Sequence, residues 1–259
     1  MRALARRLYL DILGSFVKPK SGVHILNGHF LSRNTDGGVK RFESLLRELR
    51  QFSEFLNVED AVRLVESGEC RKFGGVGLAF TFDDGFLDCY QGLAPALHRY
   101  GVNACFFVNP GFVDGSDEYR RNFTERVVFT PGKKSMTWMQ IADLHKQGFL
   151  IGNHTVDHCR LSLLEKVEIE KQILDGKARI EAKLDSKVEY FAWPYGQESD
   201  FNLTALEVAK SAHRYIFSGF GYREYFSFGG AVINRRHFEA DWNLSHVKYF
   251  LSKEKSYVK

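Results

Sequence analysis

The chain has 259 residues, of which 44% are hydrophobic and 26% charged, and its formal net charge is +4. This composition is that of an ordinary globular protein, and it excludes a wholly disordered, collagen-like or coiled-coil chain. The basic residues are scattered along the sequence, so the small positive charge does not indicate a nucleic-acid-binding protein.

Residues 1–20 form a basic segment around an apolar run at 8–17, and together they imitate a secretory signal. Asp11 interrupts the run, and no small-x-small cleavage site follows it. We therefore expect an amphipathic helix that packs on the domain or rests on an anionic membrane surface. The protein is expected in the cytoplasm, with or without peripheral membrane contact.

The cysteines, Cys70, Cys89, Cys105 and Cys159, contain no C-x-x-C pair. A chain of this size does not need disulfides to stabilise its core. We expect four buried free thiols in a reducing compartment.

Short apolar runs alternate with helical patterns along the whole chain. Strands are predicted at 23–26, 77–81, 103–108, 149–151, 188–193, 215–218 and 231–233. Helices are predicted at 39–52, 58–66, 93–100, 138–147, 163–184 and 241–251. This alternation predicts an α/β fold whose parallel sheet is open or closed into a barrel. Residues 1–259 contain no repeat or linker, which favours a single domain.

Residues 109–136 are the longest segment without clear periodicity. A loop of this length inside a compact domain is usually functional or disordered. Two interpretations stay open, a solvated surface excursion and a lid that lines the substrate site.

Three clusters of polar or turn residues follow predicted strands, where the ligand sites of parallel α/β folds gather. The first is Asp83 and Asp84, whose adjacent carboxylates would be stabilised by a bound cation, although an Asp-Gly turn that caps a helix is the alternative. The second is His154 and His158, which at this spacing lie on one face of a helical turn and can bind one metal, or are surface histidines.

The third cluster is Phe-Ala-Trp-Pro-Tyr-Gly at 191–196. Proline and glycine end a strand sharply and can expose backbone N–H groups toward a site, although an ordinary turn is the alternative.

In this order, Asp-Asp-Gly, His-x-x-x-His and Pro-Tyr-Gly resemble the motifs of the polysaccharide deacetylase family, carbohydrate esterase family four. The resemblance covers roughly residues 23–233. It implies a distorted (β/α) barrel of seven parallel strands that removes acetyl groups from N-acetylated sugars with a divalent metal.

The resemblance also implies a role for each matching residue. Asp83 is the expected general base, and Asp84, His154 and His158 are the expected metal ligands. The backbone N–H of Tyr195 would help to hold the tetrahedral oxyanion. Zinc is the expected metal, with cobalt, nickel and iron as alternatives.

One departure from the family pattern concerns the residue that orients the base. Many members have arginine two positions before the proline of the third motif, where this chain has Ala192. Arg235 or Arg236 could reach the base from elsewhere, although a surface pair is the favoured interpretation. With alanine at this position, the third motif resembles that of the family branch that acts on poly-N-acetylglucosamine and related surface polysaccharides.

A second departure concerns the general acid. His246 matches a family Leu-x-His motif by letters but lies in the predicted helix 241–251, whose Asp241 is expected as an N-cap. In the poly-N-acetylglucosamine branch the acid is a histidine just after the first strand, which corresponds to His29 here. We favour His29 because it lies at a strand end.

The sequence therefore predicts a metal-dependent hydrolase that removes an N-acetyl group from an amino sugar in a surface polysaccharide or its precursor. A hydrolase of another amide or formamide is one alternative, and a glycan-binding relative without turnover is another. The expected partner is an N-acetylated glycan, with no nucleic acid, and the oligomeric state stays open.

Overall fold

The computed structural model describes the backbone of residues 2–32 and 37–259, with side chains from Tyr9 onward. Met1, at the start of the predicted basic segment 1–20, lies outside the described residues. The strands are Gly22–Gly28 (β1), Ser53–Phe55 (β2), Val76–Phe82 (β3), Ala104–Val108 (β4), Leu150–Asn153 (β5), Tyr190–Ala192 (β6), Tyr215–Ser218 (β7), Phe226–Ser227 (β8), Val232–Asn234 (β9) and Arg236–His237 (β10).

The α-helices are Arg2–Ser15 (α1), Gly38–Arg50 (α2), Val58–Ser67 (α3), Ala94–His98 (α4), Pro110–Asp114 (α5), Asp117–Asn122 (α6), Trp138–Lys146 (α7), Lys166–Glu170 (α8), Gly176–Leu184 (α9), Leu203–Ala212 (α10) and Leu244–Leu251 (α11). Turns of π-helix at Cys89–Leu93, Phe123–Val127 and Lys171–Asp175 precede α4, follow α6 and join α8 to α9.

The strands form one curled sheet in the order β10-β1-β3-β4-β5-β6-β7-β9-β8, with β2 beside the start of β3. All neighbours are parallel except β8 and β9. Only Arg235 separates β9 from β10, and β10 pairs with β1, so the last strands return to the first. The predicted distorted barrel is confirmed. Within the described chain, the seven predicted strands correspond to β1, β3, β4, β5, β6, β7 and β9.

Successive side chains along each strand point to opposite faces of the sheet, and this divides the core into two layers. Phe107 on β4 packs with Phe217 on β7 inside the curled sheet, whereas the preceding Phe106 packs under the outer helices. Both layers are buried, as expected for parallel strands that are covered on both faces. Helix α2 contributes to the outer layer with a stripe at helical spacing, Phe42, Leu45, Leu46 and Leu49.

The segment 109–136 differs from the predicted loop, because it contains α5, α6 and a π turn. Helix α5 has only five residues, and α6 runs directly into the π turn, which breaks the 3.6-residue period, so neither produces a recognisable helical pattern. Phe112 and Phe123 stack at 4.2 Å and anchor the segment in a small aromatic cluster. Residues 127–130 line the cavity described below, which favours the interpretation as a wall of the site.

The N-terminal helix α1 lies against α11. Oδ2 and Oδ1 of Asp11 accept hydrogen bonds from Asn243 Nδ2 at 2.9 Å and Ser245 Oγ at 3.2 Å. Tyr9, Ile12 and Phe16 leave more than half of their surface exposed. Among the helices that the structure describes, none is long and apolar enough to cross a membrane. All four cysteines are unpaired, and Cys159 is the one that is half-buried rather than buried.

Candidate active site

The predicted site residues meet at the carboxyl ends of the parallel strands. Asp83 directly follows β3, His154 directly follows β5, and Tyr195 lies three residues after β6. Strand ends of a parallel barrel face one side of the molecule, so these residues share one opening. A cavity of about 800 Å³ there is lined by the following predicted residues: His29, Asp83, Asp84, His154, His158 and Tyr195.

Asp84, His154 and His158 form a compact donor set. Oδ1 of Asp84 lies 3.2 Å from Nε2 of His158 and 3.6 Å from Nε2 of His154. All three residues are buried, and this carboxylate oxygen has no hydrogen-bond partner among the described residues. A buried carboxylate oxygen without a partner is costly unless a cation compensates it. The set therefore fits a divalent metal, and its chemistry suits zinc.

The ring of His154 has the orientation and the protonation state that a metal ligand needs. Its Nδ1 lies 2.7 Å from the carbonyl oxygen of Ala192, which turns Nε2 toward Asp84. Burial lowers the pKa of His154 to about 4, more than the nearby Asp83 charge raises it. The ring is therefore neutral near pH 7, the form in which histidine binds a metal.

The predicted helical turn for the two histidines is wrong. Residues 154–160 form an irregular loop in which Thr155 and His158 have φ of 64° and 57°. Oγ1 of Thr155 accepts the His158 N–H at 3.1 Å, and Asn153 Oδ1 accepts the Thr155 N–H at 3.1 Å. These side-chain bonds stabilise a tight loop, and they bring the two imidazoles together as a helical turn would.

Asp83 is bound by a buried arginine that the sequence placed on the surface. Nη1 and Nη2 of Arg235 donate to Oδ1 and Oδ2 of Asp83, each at 2.8 Å, and Asn27 Nδ2 donates to Oδ2 at 2.7 Å. Arg235 and Arg236 are both fully buried, so the predicted surface pair is wrong. The closure of the barrel explains the difference, because it brings the β9–β10 junction beside β1 and β3.

Electrostatics keep Asp83 ionised. Burial raises the pKa of this carboxyl, but the bidentate Arg235 opposes burial and holds the pKa well below its usual range. Arg235 thereby supplies a cation next to the predicted base in a chain that has Ala192 at the usual arginine position. The Ala192 side chain is itself buried in the core.

His29, and not His246, reaches the cavity. Nδ1 of His29 lies 2.8 Å from Oε1 of Glu239. Burial lowers the pKa of His29, but Glu239 outweighs burial and raises the pKa to about 10. The ring is thus protonated near pH 7 and can donate a proton.

His246 lies on the third position of α11 and stacks on Trp242 at 3.9 Å between ring centres. It is buried there and is not among the residues that line the cavity. The expected N-cap at Asp241 is also wrong, because α11 begins at Leu244 and Asn243 precedes it.

Tyr195 forms part of the cavity wall. Its φ of 63° belongs to the sharp turn after β6. Its ring forms a T-shaped contact with the ring of His158 at 4.7 Å between centres, and the Arg160 guanidinium lies over the Tyr195 ring at 4.1 Å. The predicted role of its backbone N–H stays a prediction, as do the catalytic and metal-binding roles of the other site residues.

Residues 72–215 match the model of the polysaccharide deacetylase family, which is more than half of the chain. The chain belongs to this family. The resemblance drawn from the three motifs is thus confirmed.

The similar proteins described next share 26% or less of their residues with this chain. The protein YxkH of Bacillus subtilis, a candidate polysaccharide deacetylase, is 26% identical over 127 residues, which are 49% of this chain and 39% of YxkH. This chain thus spans less than half the length of that relative. Among solved structures, the Streptococcus pyogenes deacetylase PplD, in complex with acetate, is similar at a TM-score of 0.69 and 19% identity, over 92% of this chain and 100% of that one.

Two further solved structures share the fold. IcaB from Ammonifex degensii has a TM-score of 0.65 and 22% identity, over 90% of this chain and 98% of that one. A de-N-acetylase from Aggregatibacter actinomycetemcomitans has a TM-score of 0.64 and 16% identity, over 88% of this chain and 99% of that one.

Sequence reasoning missed two residues of this deacetylase-family site. Glu239 had no motif to mark it, although its position two residues after a strand is the kind of place where site residues occur. Asn27 lies one residue beyond the predicted strand 23–26, but in the structure it belongs to β1, is buried and contacts Asp83. An amide side chain at the end of a predicted strand, where site residues gather, was the signal that could have indicated it.

Proposed function

We propose that this chain is a metal-dependent hydrolase that removes an N-acetyl group from an amino sugar in a surface polysaccharide or its precursor. The observation that supports it best is the pairing of two features in one cavity. The Asp84, His154 and His158 donor set lies beside Asp83, an ionised carboxylate held by Arg235.

Asp84, His154 and His158 would hold a divalent metal, which would supply a Lewis acid for the acetyl carbonyl and lower the pKa of a water toward neutrality. Asp83 orients the attacking water and accepts its proton as general base. Arg235 and Asn27 fix the carboxylate of Asp83, so that little reorganisation is needed when the water attacks.

His29 acts as the general acid in this mechanism. Its ring carries a proton because Glu239 raises its pKa to about 10 against the effect of burial. That proton passes to the nitrogen of the amino sugar as the C–N bond breaks. The backbone N–H of Tyr195 donates to the oxyanion of the tetrahedral intermediate.

The shape and chemistry of the cavity support a sugar substrate. It is open to solvent on one side and lined by aromatic residues, among them Phe129 and Tyr222, as well as by the polar site residues. Aromatic faces beside convergent polar groups suit sugar rings, which have apolar faces and polar edges. Membership of the polysaccharide deacetylase family, together with the fold shared with a de-N-acetylase, supports the N-acetyl group as the target.

The deciding experiment measures acetate release from N-acetylglucosamine oligomers by purified protein, before and after chelation and after addition of Zn²⁺ or Co²⁺. We expect release that stops with chelator and returns with metal. If the protein binds metal but releases no acetate from any N-acetylated glycan, another amide substrate is favoured instead.

Two variants test the assigned roles. Asp84→Ala should lower bound metal by one equivalent and abolish acetate release, because it removes a ligand. Asp83→Asn should keep the metal but lower kcat by about 10²-fold or more, because the base is lost. Near-normal kcat for either variant would contradict the roles that we assign.

A further inference from the structure

A second group of potential metal ligands lies in the same cavity, apart from the donor set described above. It consists of His29, His237 and Glu239, whose ligand atoms all lie within 4.8 Å of one another. Oε1 of Glu239 is 2.8 Å from His29 Nδ1 and 3.6 Å from His237 Nε2.

The barrel closure builds this group. Strands β1 and β10 pair in parallel, with Asn27 opposite His237. His29 and Glu239 each lie two residues beyond those partners, so the register also brings them opposite one another. His237 lies on β10, and His29 and Glu239 lie one and two residues beyond the ends of β1 and β10, so the group does not depend on a long loop.

In this group, one carboxylate oxygen of Glu239 lacks a hydrogen-bond partner among the described residues. The ring of His237 packs edge-on against Trp242 at 5.1 Å, and the rings of His29 and His237 are 5.9 Å apart. Oε2 of Glu239 is buried and has no hydrogen-bond partner among the described residues. A buried carboxylate oxygen without a partner is unusual and costly.

We propose that His29, His237 and Glu239 form a second binding site for a divalent transition metal such as Zn²⁺, Co²⁺ or Ni²⁺. Two imidazoles and one carboxylate are a set that these ions bind. Ligand atoms at about 2.1 Å from a tetrahedral ion are about 3.4 Å apart. The observed separations of 2.8 and 3.6 Å bracket that spacing, so small side-chain movements admit the ion.

An ion can reach this site from solvent. The side chain of His237 is 43% exposed and that of His29 is 31% exposed. The donor set around Asp84 lies deeper, because the Asp84 side chain is only 4% exposed. We therefore expect the second site to fill after the first and to exchange its metal faster.

Filling of the second site has a consequence that rests on the proposed function. His29 is the proposed proton donor. A metal on its Nδ1 would displace the proton that bonds to Glu239, and the neutral ring that remains is a far weaker acid at Nε2 than the imidazolium. Excess metal should then inhibit the deacetylation that the first equivalent activates. Because a general acid contributes at least about 10²-fold to rate, inhibition should approach that size.

The test counts bound metal in tag-free, chelator-stripped protein titrated with Zn²⁺ by calorimetry and checked by elemental analysis. The wild-type protein should bind two equivalents, whereas His237→Ala and Asp84→Ala should bind one each. His98→Ala, which removes an exposed histidine on α4, is the matched control and should keep two. A single equivalent in the wild-type protein, or two in His237→Ala, would overturn the proposal.

The same variants separate the second site from the proposed function. If Asp84→Ala bound as much metal as the wild-type protein, the first site would be wrong while the second could still be counted through His237→Ala. In the activity assay, excess Zn²⁺ should inhibit the wild-type protein but leave His237→Ala at its own one-equivalent rate. Equal inhibition of both proteins would refute the inhibitory role of the site.

Discussion

At the scale of single residues, the site depends on pairs of charges that are distant in sequence. Asp83 pairs with Arg235, and His29 pairs with Glu239. In each pair the partner decides the protonation state of the residue proposed to move a proton. Arg235 keeps the base ionised, while Glu239 keeps the acid protonated.

Substitution Glu239→Gln should lower the pKa of His29, because it removes the charge that raises this pKa to about 10. The deacetylation needs protonated His29, so its rate falls as pH rises through that pKa. We expect the alkaline limb of kcat/KM to move down by about one pH unit or more. The shift is measured from pH profiles of kcat/KM for the wild-type protein, for Glu239→Gln and for Glu118→Gln, an exposed control.

The same pair contributes to stability in a defined pH range. Because the pKa of His29 is raised on folding, its contribution is complete below the unfolded value of about 6.5 and is lost as pH rises through about 10. Glu239→Gln should therefore destabilise the protein most near neutral pH and progressively less as pH rises toward 10. An unchanged alkaline limb in this variant would mean that His29 is not the group that titrates.

At the scale of elements, sharp turns after the strands aim the site residues. The turn after β6 passes close to the turn after β7, where a Cβ on Gly196 would lie 2.8 Å from the Gly219 Cα. Gly196 also has φ of 69°, which a residue with a side chain rarely adopts. Tyr195 is thus positioned by backbone packing that only glycine allows.

Gly196→Ala should lower the free energy of unfolding by about 2–4 kcal/mol, since backbone strain and a backbone clash add together. It should also displace Tyr195 and lower kcat. Gly132→Ala is the matched control, because Gly132 has φ of 83° but nothing within 4 Å of its Cβ position. Denaturant unfolding measures both variants. Equal losses of unfolding free energy would show that the positive φ alone, and not the contact with Gly219, causes the destabilisation.

At the scale of the whole molecule, closure of the barrel completes the site. The β9–β10 junction carries two adjacent buried arginines with different partners. Arg235 binds Asp83 and the Ser218 carbonyl, whereas Arg236 binds His24 and the carbonyls of Phe250 and Lys253. One arginine thus belongs to the site, and the other holds the C-terminal segment on the barrel.

Arg235→Lys should lower kcat by about 10²-fold, because lysine cannot form the bidentate contact that orients Asp83. Arg236→Lys is the matched control at the neighbouring buried arginine. It should lower the free energy of unfolding by about 1–3 kcal/mol through unsatisfied carbonyls, while kcat of the folded protein stays unchanged. Wild-type kcat in Arg235→Lys would refute the orienting role of Arg235.

The sequence by itself determined the seven main strands and the family, although the ten-residue helix α10 was not predicted. Each of the seven main strands is a local apolar run, and the three motifs are short stretches whose letters are enough to indicate the family. The strands β2, β8 and β10 were missed, because each contains a polar residue and none forms an apolar run. The helices of 109–136 were missed because α5 is short and α6 continues into a π turn that breaks the helical period.

Only the tertiary structure decided which distant residues meet. Arg235 lies 152 positions from Asp83, and Glu239 lies 210 positions from His29. Both contacts exist because β10 returns to β1, and this pairing is set by how the whole sheet curls and not by any local pattern. The same register brings His237 beside His29, so the proposed second metal site is likewise a product of closure. Local sequence specifies the strands, whereas the closing contact specifies the chemistry between them.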